Sequence, residues 1–511
     1  MLHFIPAWYQ QGKWCENEQY WRVRRMYTEF DDTVKQVQLF HRSRAYPYQI
    51  LLLGFSPNFR HFLHRQGVYR APYWSCFDTI QEVRRKKAVV LSFHNMKWPP
   101  HTEFQYTPFV VVALQKGEKY AQVEFGEDGN PIEISIYRGG KVYRRNIYDD
   151  RGFISSTIVY EDEKPLFQDY LMENGTWKLR CYEQDGHVEV NPKASSYLLA
   201  GAGFETLLPF SRTCYDSIDQ VISEVFASYL ELTDRRDIFC AAMDNHHAGL
   251  LGQVLKGRNI ILSFFGDRYH WDNKLNHREM IGQAAYIVTD SRENSENLKK
   301  QSGIPLSNIT DIPPYDTRTD FGISRQLNVQ KILVPADGLK KETFGRLIRC
   351  LESYVLVNPN ARIHLFTRNG SPARQSRLLE QARAYLETEE PDRMLSKFFR
   401  VEQCVDELSV SRCMREQKII VDMGDIPELY LQIMALSTGI PQIVCTQTQF
   451  VEHGKNGMVL QDMGGLKEML DYYLDGLSNW NDAMIASYEI GKRYTAQVLI
   501  ERWKEVIDRI G

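Results

Sequence analysis

The residues from Asp422 to Val444 read DMGDIPELYLQIMALSTGIPQIV, and this stretch decides the fold. The short apolar run Lys418 to Val421 precedes it and has the length of a buried strand. A helix follows, opened by Pro427 and closed near Gly439, and a second strand begins after Pro441. This order is one unit of a doubly wound α/β sheet, in which ligands bind at the carboxyl ends of the strands.

Length and composition are those of an ordinary globular protein. The 511 residues exceed what one hydrophobic core normally supports, so we expect two or three domains. With 25% charged residues and a net charge of -3, the chain lacks the strongly basic character of nucleic-acid-binding domains. The dense basic run Arg84 to Lys87 follows a predicted helix, where cations face the negative end of the helix dipole.

The cysteines and the absence of long apolar segments indicate a cellular location. The nine cysteines are scattered without a Cys-x-x-Cys pair, which indicates neither a zinc site nor a disulfide framework and fits a reducing compartment. His61 and His64 lack an evident carboxylate partner for metal binding. No secretory signal or membrane span is evident, so we expect a cytoplasmic protein with no metal and no cofactor.

The first part of the chain mixes two patterns. Short apolar runs typical of buried parallel strands occur at Ile50–Phe55, Ala88–Phe93, Asp237–Ala242, Asn259–Phe264 and Ala285–Thr289. Between them, from about Thr107, apolar and polar residues alternate, as at Ile132, Ile134 and Ile136. Hairpin turn signals recur at Asp128-Gly129, Gly139-Gly140, Asn174-Gly175 and Asp185-Gly186. An antiparallel β domain is therefore predicted inside an α/β domain.

The inserted region is rich in tyrosines, at positions 137, 143, 148, 160, 170 and 182. They could form a binding platform for a sugar or a protein partner. Equally, tyrosine suits a half-buried pleated surface without any binding role. Both interpretations stay open.

A second α/β domain follows the linker Ile312 to Arg318. Its predicted strands are Lys331–Val334, Arg362–Thr367, Phe398–Val401, Lys418–Val421 and Gln442–Val444. The tail from Asn481 to Ile510 has helical spacing and predicts one long amphipathic helix. The predicted domains are residues 1–105 and 216–322 (first Rossmann-like domain), 106–215 (inserted β domain), 323–480 (second Rossmann-like domain) and 481–511 (closing helix).

The architecture resembles the GT-B fold of nucleotide-sugar glycosyltransferases, an α/β pair of doubly wound Rossmann-type domains. Within the second domain, Gly439-Ile440-Pro441, the Thr446 to Thr448 turn and the run from Glu452 to Gly457 resemble that family's motifs. The resemblance implies that Thr446, Glu452 and Asn456 are candidate cleft-binding residues. His246 and Asp267 follow predicted strands of the first domain and are further candidates. Helix capping by Asp244 and Asn245 is the alternative interpretation there.

The GT-B resemblance implies two donor-binding glutamates eight positions apart, and neither is present. Counting back from Gly439 places them at Met434 and Ile426, whose side chains cannot accept hydrogen bonds from sugar hydroxyls. The family also neutralises the donor diphosphate with an arginine and a lysine after the first strand of this domain. Here Lys340 or Lys341 can supply the lysine, but Asp337 stands near the arginine position and would repel phosphate. The donor site is therefore predicted to be degenerate.

The whole chain is similar to the glycosyltransferase-like accessory secretory proteins of the accessory Sec system in Gram-positive bacteria. The features that carry this resemblance are the degenerate donor site, Trp480-Asn481, Trp503-Lys504 and the inserted run from Tyr148 to Ser156. The resemblance implies a cytosolic factor, peripheral at the membrane translocase, that works with two other accessory secretory proteins and the accessory Sec motor ATPase. Its cargo would be a heavily glycosylated serine-rich repeat adhesin.

The sequence thus predicts a catalytically silent glycosyltransferase fold used in adhesin export. One alternative is an active retaining glycosyltransferase that modifies the adhesin through Glu428, Glu452 or Asp425. A third hypothesis, compatible with the first, is a lectin-like module that recognises N-acetylglucosamine on the adhesin.

Overall fold

The computed structural model describes residues 1–9, 12–15, 27–201, 203–271, 277–303 and 307–511. The described strands are β1 (Leu2–Ile5), β2 (Tyr48–Leu52), β3 (Tyr73–Ser75), β4 (Glu103–Tyr106), β5 (Val111–Gln115), β6 (Glu118–Phe125), β7 (Pro131–Arg138), β8 (Lys141–Asp149), β9 (Phe153–Glu161), β10 (Lys164–Leu171), β11 (Trp177–Tyr182), β12 (Val188–Val190), β13 (Ser196–Gly201), β14 (Phe204–Pro209), β15 (Cys214–Tyr215), β16 (Ile238–Ala242), β17 (Asn259–Phe264), β18 (Tyr286–Thr289), β19 (Ile309–Asp311), β20 (Gln330–Pro335), β21 (Ala361–Thr367), β22 (Phe399–Gln403), β23 (Ile419–Asp422), β24 (Gln442–Val444) and β25 (Gly457–Val459).

The described α-helices are α1 (Asp32–Ser43), α2 (Phe59–Arg65), α3 (Cys76–Ile80), α4 (Ile218–Leu230), α5 (Ala248–Val254), α6 (Arg278–Gln283), α7 (Arg292–Ser302), α8 (Lys341–Val357), α9 (Pro372–Arg383), α10 (Pro391–Phe398), α11 (Glu407–Met414), α12 (Leu429–Thr438), α13 (Leu466–Leu474), α14 (Leu477–Gly491) and α15 (Ala496–Ile510). Short 3-10 helices lie at Tyr27–Phe30, Phe93–Asn95, Ser324–Gln326, Met463–Gly465 and Lys492–Tyr494.

The chain divides into two compact units. The first comprises Met1–Arg24, Phe40–Ile287 and Ile510–Gly511, and the second comprises Arg25–Leu39 and Val288–Arg509. The second unit therefore includes a short segment from the beginning of the chain, which the sequence pattern did not indicate. The finer division into five segments stays a prediction.

Two sheets share one doubly wound strand order. One has the order β19-β18-β17-β16-β1-β2-β3, and the other β22-β21-β20-β23-β24-β25. Numbered from its own first strand, the second sheet reads 3-2-1-4-5-6, and the first sheet reads the same with a seventh strand, β19, added after the sixth. The order therefore reverses between β1 and β16 and between β20 and β23. Such a reversal leaves a crevice at the carboxyl ends of the two strands, where ligands of α/β proteins bind.

The inserted region is a ten-stranded antiparallel sheet of order β15-β12-β11-β10-β9-β8-β7-β6-β5-β4. The glycines of all four predicted hairpin turns have positive φ, between 56° and 83°, as tight turns require. Ile132 and Ile134 are buried, and Ile136 packs against the same hydrophobic cluster. A two-stranded hairpin, β13–β14, stands apart from this sheet.

A buried ion network joins the inserted sheet to the α/β part of the first unit. Arg60 donates through Nε to Asp150, with an Nε–Oδ1 distance of 2.5 Å. Arg151 contacts both Asp149 and Asp78, each at 2.7 Å. Asp149, Asp150 and Arg151 belong to the run that supported the family resemblance. They hold the inserted sheet against the α/β part of the first unit, because separating it would leave these buried charges without partners.

Two predictions of secondary structure are wrong. Ala88–Phe93 is not a strand: Val89 and Val90 are 48% and 89% exposed, and the Val89 N–H donates to the Asp150 carbonyl. The third strand of the first sheet is β3 instead. The predicted C-terminal helix is two helices, α14 and α15, interrupted at Lys492–Tyr494. Thr317 takes the helix carbonyls there, its Oγ1 bonding to Gly491 and its N–H to Tyr494.

Candidate functional site

The candidate site lies at the reversal point of the second sheet, where β20 and β23 end. After β23, a six-residue turn leads into α12, which closes at Gly439 in the left-handed conformation with φ 74°. A Cβ on Gly439 would lie 2.5 Å from Met484 Cγ, so only glycine fits this close approach to α14. The Gly-x-Pro element therefore has a structural reason that does not depend on a ligand.

Asp422 organises the turn between β23 and α12. Its carboxyl group accepts hydrogen bonds from the Gly424 N–H at 3.1 Å and from the Glu428 N–H at 3.0 Å. Burial raises the pKa of Asp422 to about 6, because desolvation of the charged form outweighs these two bonds. The carboxyl group of Asp422 thus stabilises the turn that follows it by accepting two backbone hydrogen bonds.

The two predicted positions of missing glutamates lie on this turn and helix. Ile426 is in the turn and is 69% exposed. Met434 is half-buried in the middle of α12. Neither side chain offers a strong acceptor for a sugar hydroxyl. Their assignment as a degenerate donor site stays a prediction.

The predicted phosphate-binding turn after β20 is held by internal contacts. The Asp337 carboxylate accepts from Thr367 Oγ1 at 2.8 Å, from the Arg368 N–H at 2.7 Å and from Arg374 Nη2 at 2.9 Å. These bonds tie the end of β20 to the end of β21. Asp337 is therefore a structural acceptor in this turn, and Arg374 compensates its charge.

A second ion pair crosses the reversal point itself. Lys340 Nζ lies 2.6 Å from Asp425 Oδ2, so the turn after β20 is linked to the turn after β23. Both side chains are largely exposed. The predicted phosphate-binding group Lys340 is thus already engaged with a carboxylate.

The other carboxylates named for an active enzyme are paired as well. Glu428 Oε1 lies 2.8 Å from Arg368 Nη2. Glu452 contacts Lys455 at 2.7 Å and Arg493 at 2.8 Å, and the hydrogen bond from Lys455 is the main cause that lowers its pKa. Each of these carboxylates thus already has a basic partner within the chain.

Arg368 is the main feature that the sequence analysis missed. Its guanidinium carbon lies 3.7 Å from the Phe30 ring centre, 5.2 Å from that of Tyr430 and 5.4 Å from that of Phe366. Its position directly after the strand β21 was a usable signal. Phe30 had none, because it is distant in sequence and reaches Arg368 only through the packing of residues 25–39 in the second unit.

Several contacts hold the Phe30 segment in place. The Phe30 carbonyl accepts from the Tyr315 hydroxyl at 2.6 Å, and the Phe30 and Tyr430 rings meet edge to face at 4.9 Å. Lys35 forms a 2.6 Å ion pair with Glu407. The Arg368–Glu428 pair is therefore enclosed by aromatic rings from three separate parts of the second unit.

The motif from Glu452 to Gly457 builds a tight turn. Asn456 is fully buried; its Nδ2 donates to the Phe450 carbonyl and its Oδ1 accepts from the Glu452 N–H, both at 2.8 Å. Thr446 Oγ1 lies 3.3 Å from the carbonyl oxygens of Gly424 and Asp425. Asn456 and Thr446 are thus engaged with the backbone, and a binding role for them stays a prediction.

The first-unit candidates lie on neighbouring loops at the reversal point of the first sheet. His246 follows β16 and packs against the rings of Tyr9 and Trp14, at 4.8 and 4.5 Å. Burial lowers the pKa of His246. Asp267 is exposed in the turn after β17. Asn245 links the two loops through hydrogen bonds with the backbone of His270, both 2.8 Å.

The capping alternative for this loop is wrong. His247 is the N-cap of α5 and makes no side-chain cap bond. Asp244 accepts from the His246 N–H at 2.7 Å, which stabilises the preceding turn, and Asn245 bonds to His270. Both polar residues therefore shape the loop and leave the helix end uncapped by their side chains.

Metal-site clusters and membrane-spanning helices are absent from the described residues. No cluster of three or more His, Cys, Asp or Glu side chains there has the arrangement of a metal site. Within the same ranges, every helix is too short or too polar to cross a membrane.

Comparison with known proteins supplies a family and a fold. The family model described as "Accessory Sec system protein Asp-1" matches residues 1–509. A protein of that description from Streptococcus gordonii is 32% identical over 538 residues, covering 99% of this chain and all of the relative. A solved structure of accessory secretory protein 1, 2 and 3 in Streptococcus pneumoniae is 27% identical, with a TM-score of 0.79, and covers 100% of this chain and 99% of that one.

A more distant structure defines the fold class. The pneumococcal O-GlcNAc transferase GtfA, in complex with UDP and GlcNAc, is 11% identical with a TM-score of 0.73, covering 100% of this chain and 98% of that one. At this identity the likeness concerns the fold alone. The predicted GT-B-like pair of doubly wound domains with an inserted antiparallel sheet is confirmed.

Proposed function

The chain belongs to the accessory Sec system protein Asp-1 family, and from this premise we propose that it is a non-catalytic, glycosyltransferase-like component of the accessory Sec export system. It binds the two other accessory secretory proteins and the accessory Sec motor ATPase. It also binds the glycosylated serine-rich repeat adhesin, with N-acetylglucosamine as the recognised sugar, and supports its translocation. It works in the cytoplasm and contacts the membrane only peripherally, through the translocase.

One observation carries the non-catalytic part of this proposal. By the GT-B resemblance, Ile426 and Met434 stand at the two positions where donor-binding glutamates are expected. A buried sugar hydroxyl without an acceptor loses about 1 to 3 kcal/mol. Two such losses, about 2 to 6 kcal/mol together, reduce donor affinity by about one to four orders of magnitude, since 1.4 kcal/mol corresponds to a factor of ten.

The ion pairs at the crevice add a second argument. Asp425, Glu428 and Glu452 each contact a basic side chain at 2.6 to 2.8 Å. For the rival function, an active retaining glycosyltransferase, a carboxylate acting on the sugar as an unpaired group would have to release its cation. The Arg368–Glu428 pair is the most enclosed, with side-chain exposures of 12% and 32%, so its release would be the costliest.

Calorimetry and a turnover assay test the catalytic claim. The purified full chain is titrated with UDP-glucose and UDP-N-acetylglucosamine and assayed for hydrolysis and transfer. We expect no saturable heat up to about 1 mM donor, the upper range of ordinary enzyme KM values. Micromolar binding, or turnover near 1 per second, would refute the proposal in favour of the enzyme. The Ile426→Glu/Met434→Glu double variant is the matched control for the missing acceptors.

Co-purification tests the partner claim separately. The tagged chain is co-expressed with the other two accessory secretory proteins and then incubated with the motor ATPase. In a parallel binding assay, serine-rich peptide is presented with and without N-acetylglucosamine. We expect a stable three-protein complex, capture of the ATPase, and preference for the glycosylated peptide. Equal binding of bare and glycosylated peptide would contradict the sugar recognition.

Cell fractionation tests the location. We expect the chain in the cytoplasmic fraction, with a membrane-associated portion that salt or high pH releases and that disappears when the translocase is deleted. A membrane portion that persists without the translocase would contradict the peripheral contact.

A further inference from the structure

The inserted antiparallel sheet ends in a strand with an open edge. This strand is β4, the last in the spatial order, and it pairs only with β5. Thr107 and Val110 form the hydrogen-bonded pair next to the β4–β5 turn. In an antiparallel ladder bonded and non-bonded pairs alternate, so Gln105 bonds to β5. Phe104 and Tyr106 therefore direct their backbone N–H and C=O groups away from the sheet.

These outward backbone groups have no partner in the part of the chain that the structure describes. Apart from the ladder with β5, no hydrogen bond there involves the backbone N–H or C=O of Phe104 or Tyr106. An open strand edge is a template for one further strand, because its unpaired groups are spaced to match an extended backbone. The edge of β4 therefore favours an extended polypeptide as its ligand.

The side chains at the end of this edge are aromatic and exposed. Tyr106 is 63% exposed, and Phe109, in the β4–β5 turn, is 54% exposed. The Tyr106 hydroxyl lies 3.1 Å from His94 Nε2. The His94 ring packs in turn on the buried Phe93, with 4.0 Å between ring centres. The Tyr106 ring is thus held in position while most of its surface remains open to solvent.

The strand under this ring is anchored in a hydrophobic cluster. Phe104 lies two residues before Tyr106, so both side chains are on the same face of β4. The Phe104 ring meets the rings of Phe93 and Trp98 edge to face, at 5.3 and 5.4 Å. Phe104 and Trp98 pack against the cluster around Phe93 and Val111. The edge and the exposed ring are therefore preformed, and a ligand does not have to order them.

The residues at the end of the edge carry no charge. The run from Gln105 to Val110 reads QYTPFV and contains neither acidic nor basic side chains. A highly charged polymer would find no opposite charge within it. Aromatic rings stack on the C–H faces of sugars, and the tyrosine hydroxyl adds a polar group at the ring margin. An uncharged polypeptide that carries neutral sugars matches both the backbone edge and the ring.

We propose that β4 binds an extended serine-rich segment of the glycosylated adhesin as an added strand, with N-acetylglucosamine stacked on the Tyr106 ring. This inference rests on the proposed function, which supplies the glycosylated cargo, and it adds the site. Side chains of an extended segment alternate between the two faces. A glycosylated serine beside Tyr106 therefore directs its sugar to the face on which the ring lies.

Fluorescence anisotropy with the full chain tests the proposal. The probes are a fluorescent serine-rich peptide with N-acetylglucosamine on its serines and the same peptide without sugar. We expect saturable binding of the glycosylated peptide that weakens about fivefold in Tyr106→Ala, the size of one aromatic contact. Tyr106→Phe keeps the ring and should retain binding. Tyr69→Ala is the matched control, because Tyr69 is also exposed (57%) and lies beside a histidine, His64, yet is outside this sheet.

A proline variant tests the backbone part of the site. The N–H of Tyr106 points outward, so Tyr106→Pro leaves the ladder with β5 intact and removes the donor that an added strand would use. We expect it to bind the glycosylated peptide about fivefold more weakly than Tyr106→Ala, the size of one hydrogen bond. Urea unfolding checks that the variants fold like the original chain. Tyr106→Ala and Tyr106→Phe decide the test if the proline variant does not fold.

The outcomes separate this inference from the proposed function. If the original chain binds the glycosylated peptide and Tyr106→Ala binds it equally well, adhesin recognition stands and β4 is not its site. If the original chain does not bind the glycosylated peptide, adhesin recognition in the proposed function fails and this site fails with it. Equal binding of the bare peptide would refute the sugar contact. Loss of the two other accessory secretory proteins from Tyr106→Ala, with unchanged peptide binding, would make β4 a protein-docking edge and overturn the proposal.

Discussion

Two regions of the molecule differ in whether their polar groups have partners. One is the crevice at the carboxyl ends of β20 and β23, and the other is the amino end of β1 to β3. At the crevice, Asp337, Lys340, Asp425 and Glu428 each have a charged partner from the chain itself. At the amino ends of β1 and β3, His3 Nδ1 and Trp74 Nε1 are buried and have no hydrogen-bond partner among the described residues. The crevice that fold topology predicts thus contains internally paired charges, whereas the amino ends of the first sheet contain two buried ring nitrogens without a partner among the described residues.

The largest expected effect comes from breaking the enclosed pair at the crevice. Arg368→Ala should lower the free energy of unfolding by about 3 kcal/mol, because it leaves Glu428 without its cation in a partly buried site and removes the guanidinium from the Phe30 and Tyr430 rings. Urea unfolding monitored by fluorescence measures this change. Arg346→Ala, which breaks an exposed pair with Asp462, is the matched control and should cost less than about 1 kcal/mol.

A change for Arg368→Ala no larger than that of Arg346→Ala would show that the enclosed pair adds nothing over a surface pair. A ligand could then displace one partner of the Arg368–Glu428 pair, and the difference between the two regions would disappear.

The next effect is a pH dependence at the same crevice. The pKa of Asp422 is about 6 in the folded chain and about 3.9 in an unfolded one. Between these values the unfolded state loses its proton first, so the folded state binds more protons and stability falls as pH rises. Ionisation of this carboxyl should therefore cost about 2 to 3 kcal/mol between pH 4 and pH 6.

Asp422→Asn isolates this contribution. The amide does not ionise, so the difference in unfolding free energy between the original chain and the variant should change by that amount across the window and be flat above it. Urea unfolding at half-unit pH steps measures it. A difference independent of pH would show that the two backbone N–H donors keep the carboxylate charged in spite of burial.

The sequence predicted the strands of both regions better than the side-chain contacts within them. Runs such as Ile332 to Val334 are fully buried strands, because continuous apolar segments of this length fit only a covered sheet. The run Ala88–Phe93 is similarly apolar but forms no strand. Its first three residues are exposed, and its backbone bonds to Asp150 and to Asn130 instead of a neighbouring strand. Short apolar runs do not distinguish these outcomes.

The candidate donor-site positions depend on counting along the sequence, and their role stays a prediction. Ile426 and Met434 follow from their distance to Gly439. The stacking of Phe30 on Arg368 and the shared cavity of His3 and Trp74 join residues that are far apart in the chain. Such contacts depend on strand register and on which segments pack together, and one sequence does not specify these.

A smaller effect compares the two regions directly through matched tryptophans. Trp480 is buried in the second unit and donates from Nε1 to the Lys418 carbonyl at 2.7 Å, whereas the buried Trp74 has no acceptor in the described part of the chain. Replacement by Phe removes the same ring atoms from each. Trp480→Phe should destabilise the chain by about 1 to 2 kcal/mol more than Trp74→Phe, because it alone leaves a carbonyl without its donor. The measurement is urea unfolding of both variants without added ligand.

Equal losses for the two variants would mean that the Trp74 N–H is satisfied in solution as well as the Trp480 N–H. The Trp74 N–H would then not be an unpaired donor, and the two regions would differ only in the charge of their polar groups.

The smallest effect is expected where the enzyme resemblance is strongest. Ile426 is 69% exposed in the turn before α12, so Ile426→Glu should change the free energy of unfolding by less than about 0.5 kcal/mol. The variant should also gain no measurable affinity for a nucleotide sugar by calorimetry, since Met434 still lacks an acceptor and Lys340 remains engaged with Asp425. If this one carboxylate restored donor binding, a ligand could displace the ion pairs. A single substitution would then be enough to produce a donor-binding site. If both expectations hold, the internal pairs, together with the missing acceptors, keep the crevice closed to donors.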